Sequence, residues 1–207
     1  MDTTNVYGSS DLLEPCMPLM GKIRKFNQSN NFWIELLRDF LSVATVGVIL
    51  ASISQIAFGM WMPMVAVESG SMFPHIHIGD IIFDQSINRT EITTHEMGKQ
   101  NGYTSFGDYG DVILYKRYGR DNTTSITHRA MYYVEEGEPM WDGGPPAPYA
   151  GYITKGDNII TNPSYDQQGD ISYLQPVKKD WIIGVARFYR VPILGYISVI
   201  PRKILGI

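Results

Sequence analysis

Between Phe40 and Val67 the chain carries no charged side chain. A bilayer core takes about 20 apolar residues in a helix. Residues 40–62 (FLSVATVGVILASISQIAFGMWM) meet that requirement, with only small hydroxyls and Gln55 as polar interruptions. The stretch predicts a transmembrane helix. Trp61, near its end, suits the headgroup level, where an indole keeps its ring apolar and its N–H wet. Residues 1–39 precede the span, and no small-x-small pattern follows closely in MWMPMVAVESG, so a retained anchor is expected rather than a cleaved leader. Lys22, Arg24, Lys25 and Arg38 lie on the N-terminal side, and the next basic residue after the span is Arg89. The positive-inside rule therefore predicts a single-pass protein with a cytoplasmic N-terminal tail (1–39) and the rest of the chain outside. A cell membrane or an endoplasmic-reticulum-type membrane is the expected location.

Beyond the span the pattern changes. Pro63 to Val67, GDIIFD (79–84), GDVILYK (110–116), AMYYVEE (130–136) and WIIGVARFYR (181–190) are short, rich in β-branched and aromatic residues, and bounded by Gly or Asp turns. Residues 85–109 read as a polar insert and 137–151 (GEPMWDGGPPAPYAG) as a Pro/Gly loop. A mainly β extracytoplasmic domain over 63–190 is expected. The tail, 191–207, is apolar but broken by Pro192, Pro201, Arg202 and Lys203, and reads as an edge strand followed by a membrane-associated interfacial segment.

Charge excludes one class of function. Net charge is −4, charged residues make up 18% of the chain, and there is no basic run, so no nucleic-acid surface is expected. The single cysteine, Cys16, cannot form an internal disulfide framework. His75-x-His77 with Asp80 lacks a fourth ligand and sits between Pro74 and Gly79, so no metal site is expected there. Asn88 and Asn122 begin N-x-T sequons, which become sugar acceptors only in a suitable host.

The chemistry concentrates at three places. ESGSMFP (68–74) offers a serine hydroxyl beside a glycine. Such a hydroxyl needs a base to remove its proton and donors aimed at the developing oxyanion. Ser71 follows Met62 by nine residues, which span at most ~30 Å, so it is tethered near the membrane surface. His128, in THRAMYY, begins a strand-like run and is the side chain suited to general-base work near neutral pH. Two carboxylates follow, Asp157 in TKGDN and Asp166. Either could orient the imidazole and stabilise its protonated form.

SGSMFP, GDIIF, GDVILYK, THRAMYYVEEG, YITKGDN and GVARFYRVPILGY together resemble, in order, the boxes of the archaeal and endoplasmic-reticulum type of signal peptidase I, over roughly residues 40–200. The resemblance implies a mainly β catalytic domain with a coiled sheet behind the transmembrane helix. It implies Ser71 as nucleophile and His128 as base, where the bacterial branch uses lysine. Ser69, with the Ser71 backbone N–H, would form the oxyanion hole. The family's GDN carboxylate falls on Asp157. Its second acidic residue usually follows six or seven positions later, whereas Asp166 comes nine later, which implies a loop insertion; both carboxylates stay candidates, but the resemblance favours Asp166 as the one that orients His128 and leaves Asp157, in its Gly-Asp-Asn turn, a structural role. The implied activity is removal of signal peptides from secretory preproteins after small residues at −1 and −3, without a metal or organic cofactor. The implied partners are preproteins, the bilayer and accessory membrane subunits. A silent signal-sequence-binding subunit and a self-processing serine peptidase are the alternatives. The joint presence of Ser71, His128, Asp157 and Asp166 argues against the first, and the anchor with His128 against the second.

Overall fold

The computed structural model describes residues 31–192, 194–196 and 200. The tail 1–30, with Cys16 and three of the four flanking cations, lies outside the described residues, as does most of the C-terminal segment.

Helix α1 runs Phe32–Phe58, so it begins before the expected 40 and ends before 62. The apolar run marks the part suited to a bilayer, whereas capping sets the ends. Asn31 accepts Trp33 N–H on Oδ1 at 3.1 Å, and its carbonyl accepts the first helical N–H groups. Gly59, at φ 70°, supplies the left-handed exit. None of the helix's residues is buried, and its length and apolarity fit a bilayer crossing. Three of its hydroxyls bond their own helix, Ser42 donating to the Arg38 carbonyl, Thr45 to Leu41 and Ser52 to Val48, while Ser54 donates to the Met60 carbonyl just beyond the helix end. Such bonds satisfy a hydroxyl donor within the helix, as a bilayer crossing requires.

The chain divides into two compact units, 1–52 and 53–207. The second unit is built on a six-stranded antiparallel sheet in the order β1-β2-β8-β5-β6-β7. Its strands are β1 (Met64–Ala66), β2 (Ile81–Gln85), β5 (Val112–Tyr115), β6 (Ile126–Val134), β7 (Gly151–Lys155) and β8 (Ile182–Val191). The mainly β expectation holds. The polar insert 85–109 is more ordered than its composition suggests. It holds a short helix α2 (His95–Asn101), capped by the Thr94 hydroxyl, and a hairpin of β3 (Thr104–Ser105) and β4 (Asp108–Tyr109). Asp84, read as a turn residue closing a strand, lies inside β2. Its N–H is satisfied by the Pro63 carbonyl at 2.8 Å, so pairing continues through it.

Alternation places different side chains on the two faces of the sheet. Ile113, Tyr115, Ala130, Val177 and Val185 pack into one buried cluster. Val67, Met72, Ile76, Ile82, Val112 and Ala186 form another. Met72 and Ile76 anchor the loop that carries Ser71.

Candidate active site

Ser71 sits in a turn between β1 and β2. Val67 N–H donates to the Asp80 carbonyl at 2.9 Å and Gly79 N–H to the Val67 carbonyl at 2.8 Å, which closes the base of the loop 68–78. Within it Phe73 N–H donates to Gly70, and His75 and Ile76 N–H to Met72. Met72 is 1% exposed, so the side chain after Ser71 is a plug in the core while Ser71 itself stays half-exposed. The Ser69 and Ser71 hydroxyl oxygens lie 3.2 Å apart.

His128 lies inside β6 rather than at its start, opposite Ile113 of β5. It is almost fully buried, and its Nδ1 is 2.7 Å from Asp166 Oδ2. Asp166 comes from a 3-10 turn (Asp166–Gln168) that follows β7. The same Oδ2 accepts the Thr154 hydroxyl at 2.7 Å and the Tyr115 hydroxyl at 2.9 Å. Burial alone would raise the Asp166 pKa. The neighbouring His128 charge and the hydrogen bonds from His128, Thr154 and Tyr115 outweigh burial, and the pKa is lowered. Burial and the adjacent Asp166 push the Tyr115 phenol well above its ordinary value, so it stays protonated and can donate.

Asp157 has different company. Its carboxylate forms a two-point pair with Arg129, Nε to Oδ1 at 2.9 Å and Nη2 to Oδ2 at 2.6 Å. Its Oδ2 also lies 2.8 Å from His75 Nδ1. Arg129 is 1% exposed, and its Nη1 donates to the carbonyls of Ser105, Tyr109 and Gly110. Because Arg129 follows His128 in a strand, the two side chains point to opposite faces. The structure thus brings His128 to Asp166, and Asp157 to Arg129 and His75.

One loop joins these groups to the serine turn. Asn158 N–H donates to the Ser71 carbonyl and its side-chain amide to the Gly70 carbonyl, both at 2.9 Å. A Cβ on Gly156 would sit 2.7 Å from the Ser71 carbonyl oxygen, so only glycine fits that approach. Thr154, Gly156, Asp157 and Asn158 therefore tie Asp166, Ser71, Arg129 and His75 together within five residues of chain.

Of the other histidines, His77 N–H donates to Asp80 Oδ2 at 2.8 Å. His95 packs edge-on against Tyr109, with its Nε2 3.7 Å from Asp108 Oδ1. Among the described residues no three His, Cys, Asp or Glu side chains converge as a metal site.

No model of a known protein family matches the chain. Individual relatives do. The signal peptidase complex catalytic subunit SEC11 of Pyricularia oryzae is 30% identical over 159 residues, covering 72% of this chain and 75% of its own length. The chain belongs to the family of signal peptidase catalytic subunits. The Talaromyces marneffei sec11 subunit is 29% identical over 171 residues (80% of this chain, 78% of its own). The SEC11C subunit of Canis lupus familiaris is 25% identical over 184 residues (89% and 79%). A signal peptidase of this kind is a hydrolase acting on peptide bonds, and the apolar helix α1 fits its membrane setting.

Arg129, Tyr115, Thr154 and Gln167 escaped the sequence reading. A signal existed for Arg129, a long cation in the apolar run HRAMYYV. Tyr115, Thr154 and Gln167 gave none, because isolated hydroxyls in strand-like segments and an amide in a polar turn are ordinary.

Proposed function

We propose that this chain is a membrane-anchored serine endopeptidase that removes N-terminal signal peptides from secretory preproteins. The observation that carries the reading is the buried His128–Asp166 contact at 2.7 Å, tied through the 154–158 loop to the turn that presents Ser71.

In this reading Asp166 accepts the Nδ1–H of His128, which leaves Nε2 with its lone pair as the base. His128 takes the Ser71 proton as Oγ attacks the scissile carbonyl. The Ser69 hydroxyl and the Ser71 N–H are the proposed donors to the oxyanion. His128 then protonates the leaving amine, and water hydrolyses the acyl-serine by the reverse proton path. Asp157 holds the site's shape through Arg129 rather than touching the imidazole. An extended substrate strand with small residues at −1 and −3 is the proposed recognition element. No metal or organic cofactor takes part.

The orientation proposed is N-terminus in the cytoplasm and sheet domain outside, in an endoplasmic-reticulum-type or cell membrane, with further membrane subunits as partners. Protease given access only to the non-cytoplasmic face of sealed membranes should cut loop 137–151, and cutting of that loop from the cytoplasmic face alone would reverse the topology.

The decisive experiment is preprotein cleavage in detergent by wild type and Ser71→Ala. The variant should insert and fold normally yet lose cleavage. A folded Ser71→Ala enzyme that retains substantial turnover would move the nucleophile elsewhere.

A further inference from the structure

Asp166 Oδ2 is crowded. Three donors, from three different strands, converge on that single oxygen: His128 Nδ1 on β6 at 2.7 Å, Thr154 Oγ1 on β7 at 2.7 Å and Tyr115 OH on β5 at 2.9 Å. All the residues involved are at most 3% exposed. A carboxylate needing only charge neutralisation would be served by the histidine alone. Two further donors on the same oxygen fix the carboxylate's rotation, and with it the ring plane of the histidine that shares the oxygen.

The donors have a direction. Thr154 N–H donates to Gln167 Oε1 at 3.1 Å, which sets which end of the Gln167 amide faces the threonine. Gln167 Nε2 then donates to Thr154 Oγ1 at 3.3 Å and to the Gln175 carbonyl at 3.4 Å. With a lone pair of Oγ1 so occupied, the single Thr154 hydroxyl proton is turned to Asp166. Gln167 is itself 0% exposed and adjoins Asp166 in the same 3-10 turn. The chain of donation therefore runs Gln167 to Thr154 to Asp166, and the Tyr115 hydroxyl, 3.3 Å from Thr154 Oγ1, donates to the same carboxylate oxygen beside it.

We propose that Tyr115, Thr154 and Gln167 are positioning residues that fix Asp166 Oδ2 on the Nδ1 of His128 and set how strongly the pair holds its proton. The proposal rests on the reading of Ser71, His128 and Asp166 as the catalytic set. Hydrogen bonds to a carboxylate weaken it as a base. Thr154 and Tyr115 are both among the causes that lower the Asp166 pKa. Removing one donor should make the carboxylate more basic, so that the coupled pair keeps its shared proton to higher pH. The ionisable groups facing the carboxylate are His128 on β6 and Tyr115 on β5, with Arg117 acting on Tyr115 from beyond the strand's end. On β7 the neighbouring Lys155 is directed to the Pro163 carbonyl at 2.9 Å.

The test uses the full-length protein in detergent, with Tyr115→Phe, which keeps the ring in its slot, and the pair Thr154→Val and Thr154→Ser. In Tyr115→Phe, kcat should fall roughly three- to tenfold with KM little changed, the loss of about one hydrogen bond in the transition state. The acid limb of kcat/KM should move up by about half a pH unit. Thr154→Val should behave likewise, and Thr154→Ser should restore both parameters. In an Asp166→Asn background Tyr115→Phe should cost nothing more. An acid limb that stays in place in folded Tyr115→Phe, a serine variant as impaired as the valine variant, or a full additional loss in the Asp166→Asn background would each overturn the proposal. The titration of the Asp166 carboxyl by carbon NMR gives the same test without catalysis: it should shift upward in Tyr115→Phe. Failure of that shift overturns the positioning role, whereas an active Ser71→Ala enzyme overturns the catalytic reading instead.

Discussion

Asp166 and Asp84 are both buried carboxyls in one sheet domain, yet their surroundings are opposites. Asp166 sits where β5, β6 and β7 each present a donor, and its pKa is lowered. Asp84 sits on β2, opposite Ala186 of β8. A Cβ on Gly184 would lie 3.0 Å from its Cβ and 3.5 Å from the Met60 sulfur. Among the described residues neither Asp84 carboxyl oxygen has a hydrogen-bond partner, and burial pushes its pKa up to about 7. Burial alone says little about a carboxyl; the donors aimed at it decide whether it is a stable anion or a reluctant acid.

The largest effect should come from the satisfied side. Asp166→Asn should lower kcat by roughly three to four orders of magnitude, because the amide no longer favours the Nδ1–H form of His128. Cost to stability should be far smaller, about 1–2 kcal/mol. The sign with pH is fixed by the lowered pKa. The carboxylate's stabilisation is present above its ordinary value of 3.8 and is lost as pH falls through the depressed native value. Thermal melts should therefore show wild type losing its advantage over Asp166→Asn only in strong acid. A nearly silent Asp166→Asn would collapse the contrast and return the orienting role to Asp157.

Asp157 is satisfied as well, but by a buried cation. Asp157→Asn leaves Arg129 without its anion in an almost fully buried position, at a cost of about 3–5 kcal/mol. Stability and activity should fall together, as the 156–158 loop loosens from the Ser71 turn. Denaturant unfolding beside kcat measurement checks this; intact stability with lost turnover would make Asp157 part of the chemistry.

The effect of opposite sign, confined to stability at high pH, belongs to Asp84. Its native pKa is raised from 3.8 to about 7, so the native state holds a proton that the unfolded chain releases. That contribution is fully present below 3.8 and is lost as pH rises to about 7. Asp84→Asn should therefore match wild type near pH 4 and become more stable by up to about 4 kcal/mol at pH 8. Urea titrations at the two pH values would reveal it; equal stability at both would mean that Asp84 has partners the two-sided contrast omits.

The sequence by itself carried the architecture and the local chemistry. An uncharged run of bilayer length needs no tertiary context to read as a span, and short β-branched and aromatic runs between Gly and Asp turns read as strands. Ser71 and His128 became candidates only through the order of six segments that resemble one family, since a Ser-Gly-Ser turn or a single histidine is ordinary taken alone. Tertiary structure decided everything that depends on contact across the chain. Asp157 and Asp166 are equally acidic on paper, but His128 meets Asp166 while the adjacent Arg129 takes Asp157, because successive strand residues point to opposite faces. Asp84 looked like a turn residue until the Pro63 carbonyl and β8 closed around it. The donors Tyr115, Thr154 and Gln167 acquire meaning only where three strands converge on one oxygen. Hydrogen-bond partners and burial are properties of a place in the fold, and no single residue's type or spacing encodes them.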